Sequence, residues 1–202
     1  MTQSAPLIAL AGNPNSGKSA LFNALTGARQ KIANYPGVTV ERKSGHFVFA
    51  DGRPAELVDL PGSYSLDPTS PDEEVTRNVI TGLQQGERKP DAIIIVLDAA
   101  NLDNHLRFAL EVIALGQPVV VALNMMDLAE RDGLTLDPAK LSEALGVPVV
   151  PTVAVRRRGL EELSAALENR LLQKDSAPQP VVSKTRDHGL RKQAKLIANQ
   201  VI

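Results

Sequence analysis

The 202-residue sequence contains no cysteine. Disulfide bridges, thiolate nucleophiles and cysteine-ligated metal centres are therefore excluded. Histidine is scarce as well: His46, His105 and His188 lie far apart and form no metal-ligand spacing. Neither sign of charge prevails, with 22 Lys and Arg against 23 Asp and Glu, so the surface as a whole is not built to neutralise nucleic-acid phosphates or acidic lipid. The longest apolar runs, around Ala92–Leu97 and Pro118–Leu123, reach about a third of the length that a bilayer crossing requires. Met1 to Pro6 lacks a basic stretch followed by an apolar core, so no secretory signal is expected and a cytoplasmic setting is the default. The chain is 43% hydrophobic, and its length suits one ordinary globular domain with a little left over.

Short β-branched runs alternate with amphipathic stretches, the pattern of βα units closing a mostly parallel sheet. Strands are expected at Leu7–Ala11, Ala55–Asp59, Ala92–Asp98, Pro118–Asn124 and Val147–Thr152. The third and fourth do not alternate with polar residues, as suits strands buried on both faces. Helices are expected at Lys18–Thr26, Asp72–Gln84, Leu102–Leu115, Pro138–Leu145 and Leu160–Leu172. In the last of these, Leu160, Leu163, Leu167 and Leu171 share one face. Residues Thr39–Asp51 and Arg53–Asp59 read as a hairpin turning at Asp51-Gly52, which puts one antiparallel edge on the sheet. Residues 1–173 form the first domain on this reading, and 174–185, rich in proline and polar residues, a linker. From 186 to 202 a final helix carries Leu190, Ala194, Ile197 and Val201 on one side. That stripe needs cover, either from a further helical region that begins here or from the first domain itself.

Gly12-Asn13-Pro14-Asn15-Ser16-Gly17-Lys18-Ser19 matches G-x-x-x-x-G-K-[ST], and it follows an expected strand and opens an expected helix. Such a loop wraps its backbone N–H groups around phosphate oxygens at a helix N-terminus. Lys18 supplies a mobile charge to the β and γ phosphates, and the Ser19 hydroxyl can ligate Mg²⁺. The bland alternative is a glycine-rich turn with a solvated lysine. The motif by itself specifies a nucleoside triphosphate and no particular base.

Asn124-Met125-Met126-Asp127 stands at the carboxyl end of an expected strand, where open α/β sheets bind ligands. A carboxylate at Asp127 can accept from both N1–H and the 2-amino group of guanine, whereas adenine would leave it unpaired. Met125 stands where guanine-binding proteins commonly carry lysine, and its thioether chain would pack on the base. In Thr152-Val153-Ala154-Val155, the Ala154 N–H could donate to guanine O6. Asp59-Leu60-Pro61-Gly62 matches D-x-x-G: Asp59 would hold a Mg²⁺-bound water, and the Gly62 N–H would contact the γ phosphate. Thr39, in the loop Asn34–Thr39, would be the second hydroxyl ligand of Mg²⁺.

These four segments occur in the order and spacing of a Ras-like GTPase, and the sequence resembles something narrower. Gly12–Ser19, the run Asn34-Tyr-Pro-Gly-Val-Thr-Val-Glu-Arg-Lys-Ser-Gly45, and Asp59-Leu-Pro-Gly-Ser-Tyr-Ser-Leu66 look like the N-terminal G domain of the bacterial ferrous-iron transporter B family, FeoB. The resemblance covers Leu7 to about Leu172. It implies a Ras-like α/β fold with helices on both faces of the sheet, and a GTP- and GDP-binding set comprising Asn13, Asn15, Ser16, Gly17, Lys18, Ser19, Ala20, Gly37, Thr39, Asp59, Gly62, Asn124, Met125, Asp127, Thr152, Val153 and Ala154. Lys18, Thr39, Asn15 and Gly62 are the expected catalytic group, Ser19, Thr39 and Asp59 the Mg²⁺ site, and Asn15 a ligand of K⁺. The resemblance further implies a following helical region that modulates GDP binding, a polytopic membrane permease, small Feo accessory proteins as partners, and a place at the cytoplasmic face of the bacterial inner membrane. The fragment itself is expected to be soluble.

Ras-like enzymes use a glutamine after D-x-x-G to orient the attacking water. Ser63 occupies that place and is shorter, so unassisted hydrolysis is expected to be slow. Two other functions compete with this one. A soluble ribosome- or RNA-associated GTPase would use the Arg156-Arg157-Arg158 run, which a solvated loop explains equally well. A nucleotide-bound interaction module that barely hydrolyses is the third.

Overall fold

A computed structural model describes residues 4–173 and 187–201. Its centre is a seven-stranded sheet. In chain order the strands are β1 (Leu7–Gly12), β2 (Lys31–Asn34), β3 (Glu41–Val48), β4 (Pro54–Asp59), β5 (Ala92–Asp98), β6 (Val119–Asn124) and β7 (Val149–Pro151), and across the sheet they run β2-β3-β4-β1-β5-β6-β7. β4, β1, β5, β6 and β7 are mutually parallel. The hairpin β3–β4 turns through Asp51-Gly52 as expected, and β2 adds a second antiparallel strand outside it. The antiparallel edge is therefore two strands deep. All four residues of β2 are exposed, which leaves the segment without the apolar alternation that marks a strand.

The helices are α1 (Lys18–Thr26), α2 (Pro71–Thr81), α3 (Leu102–Ile113), α4 (Met126–Arg131), α5 (Pro138–Leu145), α6 (Leu160–Gln173) and α7 (Asp187–Val201). Ser70 starts α2 by accepting from the Glu73 N–H at 3.2 Å, with Pro71 in the first turn, where its missing N–H costs nothing. Asp137 caps α5 by accepting from the N–H groups of Ala139 and Lys140. Both are side-chain replacements for carbonyl partners that a first turn lacks.

Two apolar layers sandwich the sheet. Ile8, Leu10, Ile94 and Val96 point to the layer closed by α1 and α6. Their neighbours Leu7, Ala9, Ile93, Ile95 and Leu97 point to the layer closed by α2, α3 and α5. Coverage on both faces is the reason that β5 and β6 are apolar at consecutive positions. α7 joins the second layer: Leu190, Ala194, Ile197, Ala198 and Val201 are buried there against α3 and α5. Val201 also accepts from the Asp137 N–H at 3.1 Å. The expected linker, 174–185, and Ile202 lie outside the described residues. No helix among the described residues is long and apolar enough to cross a membrane.

Candidate functional site

The site forms where β1, β4 and β6 end on one rim of the sheet. β1 runs into the loop Gly12–Gly17, which turns directly into α1. The loop needs small residues at two points. A β-carbon on Gly12 would lie 2.6 Å from the Val96 carbonyl oxygen, and one on Gly17, where φ is 89°, would lie 2.2 Å from Asn124 Nδ2. Asn15 also takes a positive φ, 64°, a conformation that asparagine tolerates better than most residues. Ser16 Oγ and Asn13 Oδ1 are buried in the loop without a hydrogen-bond partner.

Lys18, in the first turn of α1, donates to Asp59 Oδ1 at 3.2 Å. Both side chains are largely buried, at 11% and 8% exposure. The segment after β4 folds onto the glycine loop: a β-carbon on Gly62 would lie 2.9 Å from the Pro14 nitrogen, and the Ser63 N–H donates to the Gly12 carbonyl at 3.0 Å. Ser63 is fully buried and its hydroxyl has no partner. His105, also buried on this side, accepts from the Asp98 N–H at 3.3 Å through Nδ1. Burial pushes its imidazole below the ordinary range despite the nearby Asp98 and Asp103, so it brings no positive charge to the rim at neutral pH.

The segments expected to read the base meet the same loop from the other side. Asn124, at the end of β6, donates from Nδ2 to the Ser16 carbonyl at 3.2 Å. Its Oδ1 accepts from Thr152 Oγ1 at 3.2 Å and from the Ala154 N–H at 3.1 Å. The Ala154 donor expected for guanine O6 is thus engaged with Asn124. Met125 is left-handed at φ 61°, and its Cε would lie 3.2 Å from a β-carbon on Gly17. Asp127, in the first turn of α4, lies 3.6 Å from Arg156 Nε through Oδ2.

Lys18, Asp59, Gly62, Asn124, Thr152 and Ala154 are thereby joined through the glycine loop, with Asn13, Ser16 and Gly17 forming its floor. Val153 is buried beneath the Ala154 turn. Ser19 and Asn15 are exposed on the rim and Ala20 is half-buried. Thr39 and Gly37 are exposed in a turn closed by Val38 N–H to the Tyr35 carbonyl at 3.3 Å. Among the described residues no hydrogen bond joins Thr39 to Ser19 or Asp59.

Several contributors escape the motifs. Tyr35 is 1% exposed and anchors the Thr39 loop in the core beside Val40 and Leu60; burial drives its phenol well above the usual range. Arg42 pairs with Glu87 and with Glu56, tying the hairpin to the segment after α2. Glu73 accepts from Thr69 N–H at 2.8 Å, Thr69 Oγ1 at 2.7 Å and Tyr64 N–H at 3.4 Å. The Arg156–Arg158 run is not a uniformly solvated loop, because Arg156 faces Asp127 and Arg157 Nη1 donates to the Ala24 carbonyl at 2.9 Å. A basic tripeptide in sequence carries no sign of those partners.

The rim suits a phosphate chain and a hard cation. Two glycine positions admit no β-carbon, Ser16 Oγ is buried without a partner, and the oxygen donors Ser19 and Asp59 flank a buried lysine, as Mg²⁺–phosphate sites require. Among the described residues no group of three or more His, Asp and Glu could hold a metal, so a cation here would draw much of its shell from water and phosphate.

Residues 7–167 match the family model FeoB_N, described as ferrous iron transport protein B. The Fe(2+) transporter FeoB of Salmonella typhimurium is 48% identical over 165 residues, 80% of this chain and 21% of the transporter. The chain thus spans about a fifth of the length of the curated relatives it matches. Among solved structures, a GDP-bound point variant of S. thermophilus NFeoB matches with a TM-score of 0.72 at 44% identity, over 80% of this chain and 60% of that one. The cytosolic domain of T. maritima FeoB in its GMPPNP form matches with a TM-score of 0.82 at 28% identity, over 97% and 98% of the two chains. The fold is that of a Ras-like P-loop GTPase, and the chain belongs to the family of FeoB N-terminal G domains.

Proposed function

We propose that this chain binds GTP, hydrolyses it slowly to GDP and phosphate, and acts as the regulatory domain of a ferrous-iron permease at the cytoplasmic face of the bacterial inner membrane. One observation carries the reading: Asn124 is bonded to the Ser16 carbonyl, two residues before Lys18, which supports one ligand reaching both the glycine loop and the strand end at Asn124. Lys18 and the N–H groups of the glycine loop would hold the phosphates, and Asp127 would accept from the guanine edge. When bound, Mg²⁺ at Ser19, Thr39 and water-linked Asp59, and K⁺ at Asn15, would neutralise charge on the β and γ phosphates.

In hydrolysis the water oxygen bonds to the γ phosphorus as the bond to the β–γ bridging oxygen breaks. The water proton passes to solvent or phosphate, and GDP leaves. Lys18 and the loop N–H groups stabilise the charge that develops. Ser63 is buried with its N–H on Gly12 and cannot orient that water, so turnover on the order of 10⁻³ s⁻¹ or less is expected. Phosphate release in a single turnover separates this enzyme from a module that only binds. An RNA-associated role is weakened, since Arg156 faces Asp127 and Arg157 is bonded to the Ala24 carbonyl of α1.

The division at 173, a linker over 174–185 and a helical region from 186 are proposed with the same transporter, as are its permease and small Feo partners. The base assignment is tested by Asp127→Asn. The amide can donate to the C2 carbonyl of xanthine, so competition titration should show loss of GTP preference and gain of xanthine nucleotide. Unchanged guanine selectivity would overturn it.

A further inference from the structure

The three arginines that follow the Ala154 turn have separate tasks. Arg157 is left-handed, at φ 55°, and its guanidinium is fixed to the Ala24 carbonyl in α1. Val153 and Arg158 exchange two backbone hydrogen bonds, each of 3.2 Å, around the tight turn Ala154–Arg156. Gly159 closes the loop against the Pro151 carbonyl, where a β-carbon would lie at 2.2 Å. The backbone that presents Arg156 is therefore pinned at three points, and one of them is the helix that carries Lys18. From that base Arg156 reaches Asp127 Oδ2 at 3.6 Å, with the carboxylate 23% exposed and the guanidinium side chain 60% exposed.

We propose that Arg156 sets how long a guanine nucleotide stays bound, by competing with the base for Asp127. The inference rests on the assignment of Asp127 to guanine. In-plane recognition of N1–H and the 2-amino group uses both carboxylate oxygens, and Arg156 draws on one of them. As the base departs, the carboxylate passes to a cation already beside it and is not left half-desolvated and unpaired. That lowers the cost of release. If Arg156 only stiffened the carboxylate for its ligand, its removal would have the opposite effect, so the sign of the change is diagnostic. Because the guanidinium is mostly exposed, the effect is that of a partly screened pair, about two- to fivefold in rate.

Dissociation of a fluorescent GDP analogue chased by excess GDP tests the proposal. Arg156→Gln and Arg156→Ala should slow release about two- to fivefold, while Arg156→Lys, which keeps the charge, should stay closer to the parent rate. In the Asp127→Asn background, read with the xanthine analogue, the Arg156 substitutions should change nothing, because the competing carboxylate is gone. Equal or faster release from the Arg156 variants, with melting temperatures unchanged, overturns the proposal. So does equal slowing in the Asp127→Asn background, which would place the action of Arg156 elsewhere. Failure of the Asp127→Asn single variant to take xanthine nucleotide fells the guanine assignment first, and is seen before Arg156 is altered.

Discussion

Asn124 Nδ2 donates to the Ser16 carbonyl at 3.2 Å, and this bond makes the strand end proposed to read the base and the loop proposed to cradle phosphate a single unit. Its other end is equally occupied, by Thr152 Oγ1 and the Ala154 N–H. Asn124→Ala therefore strands three buried polar groups at once. Each costs roughly 1–3 kcal/mol when left dry, and water entering the space that the side chain vacates relieves part of that, so a loss of at least about 2 kcal/mol is expected in urea denaturation of the nucleotide-free protein. GDP affinity should fall with it. Undiminished stability would mean that the two segments are not coupled through this side chain.

Lys18 and Asp59 form a pair whose partners are both largely buried. Removing one member of such a pair leaves the other charge uncompensated, which destabilises more than the intact pair contributes. Lys18→Ala should thus lower the melting temperature as well as abolish tight triphosphate binding. Adding Asp59→Asn removes the orphaned charge: stability should recover while binding stays lost. If the double variant is no more stable than Lys18→Ala, the pair in this geometry carries no weight in the fold.

Much of the architecture could be read directly from the chain. β5 and β6 announce themselves as apolar runs because both faces are covered, and the glycine loop is legible because strand, loop and helix follow one another within 20 residues. β2 could not be read, since an exposed edge strand has no buried face to pattern its sequence. α4 starts after a left-handed methionine, a conformation with no residue-type signal at Met125. The stripe on α7 says that the helix is covered, not that α3 and α5 cover it. Arg156 with Asp127, and Arg42 with Glu87, are meetings of distant segments that only the packed sheet arranges.

Glu73 gathers three donors from the loop that precedes α2. The Thr69 N–H is the largest influence holding its carboxyl below the ordinary 4.5, against the opposing effect of burial. A folded-state value below the unfolded one means that the stabilisation is complete above the unfolded pKa and is lost as pH falls through the folded one. The melting temperature of the parent should therefore exceed that of Glu73→Gln by a constant margin above the ordinary carboxylate range, and the gap should narrow as the pH falls below that range. A margin independent of pH over that range would show that the carboxylate charge is not what these donors hold.

Asn15 stands exposed on the rim in a left-handed conformation, which leaves two explanations for it: shaping the loop, or offering an amide oxygen to K⁺ against the phosphates. Asn15→Gly separates them, because glycine adopts the same φ without strain and supplies no oxygen. If the oxygen matters, single-turnover phosphate release from the parent should be faster in potassium than in sodium by at least about tenfold, a conservative share of the roughly 10²–10³ that one positioned charge-stabilising group supplies. Asn15→Gly should lose that difference while still binding GDP. Equal rates of the parent in both salts would remove Asn15 from catalysis, and a potassium effect surviving in Asn15→Gly would assign the ion to other oxygens.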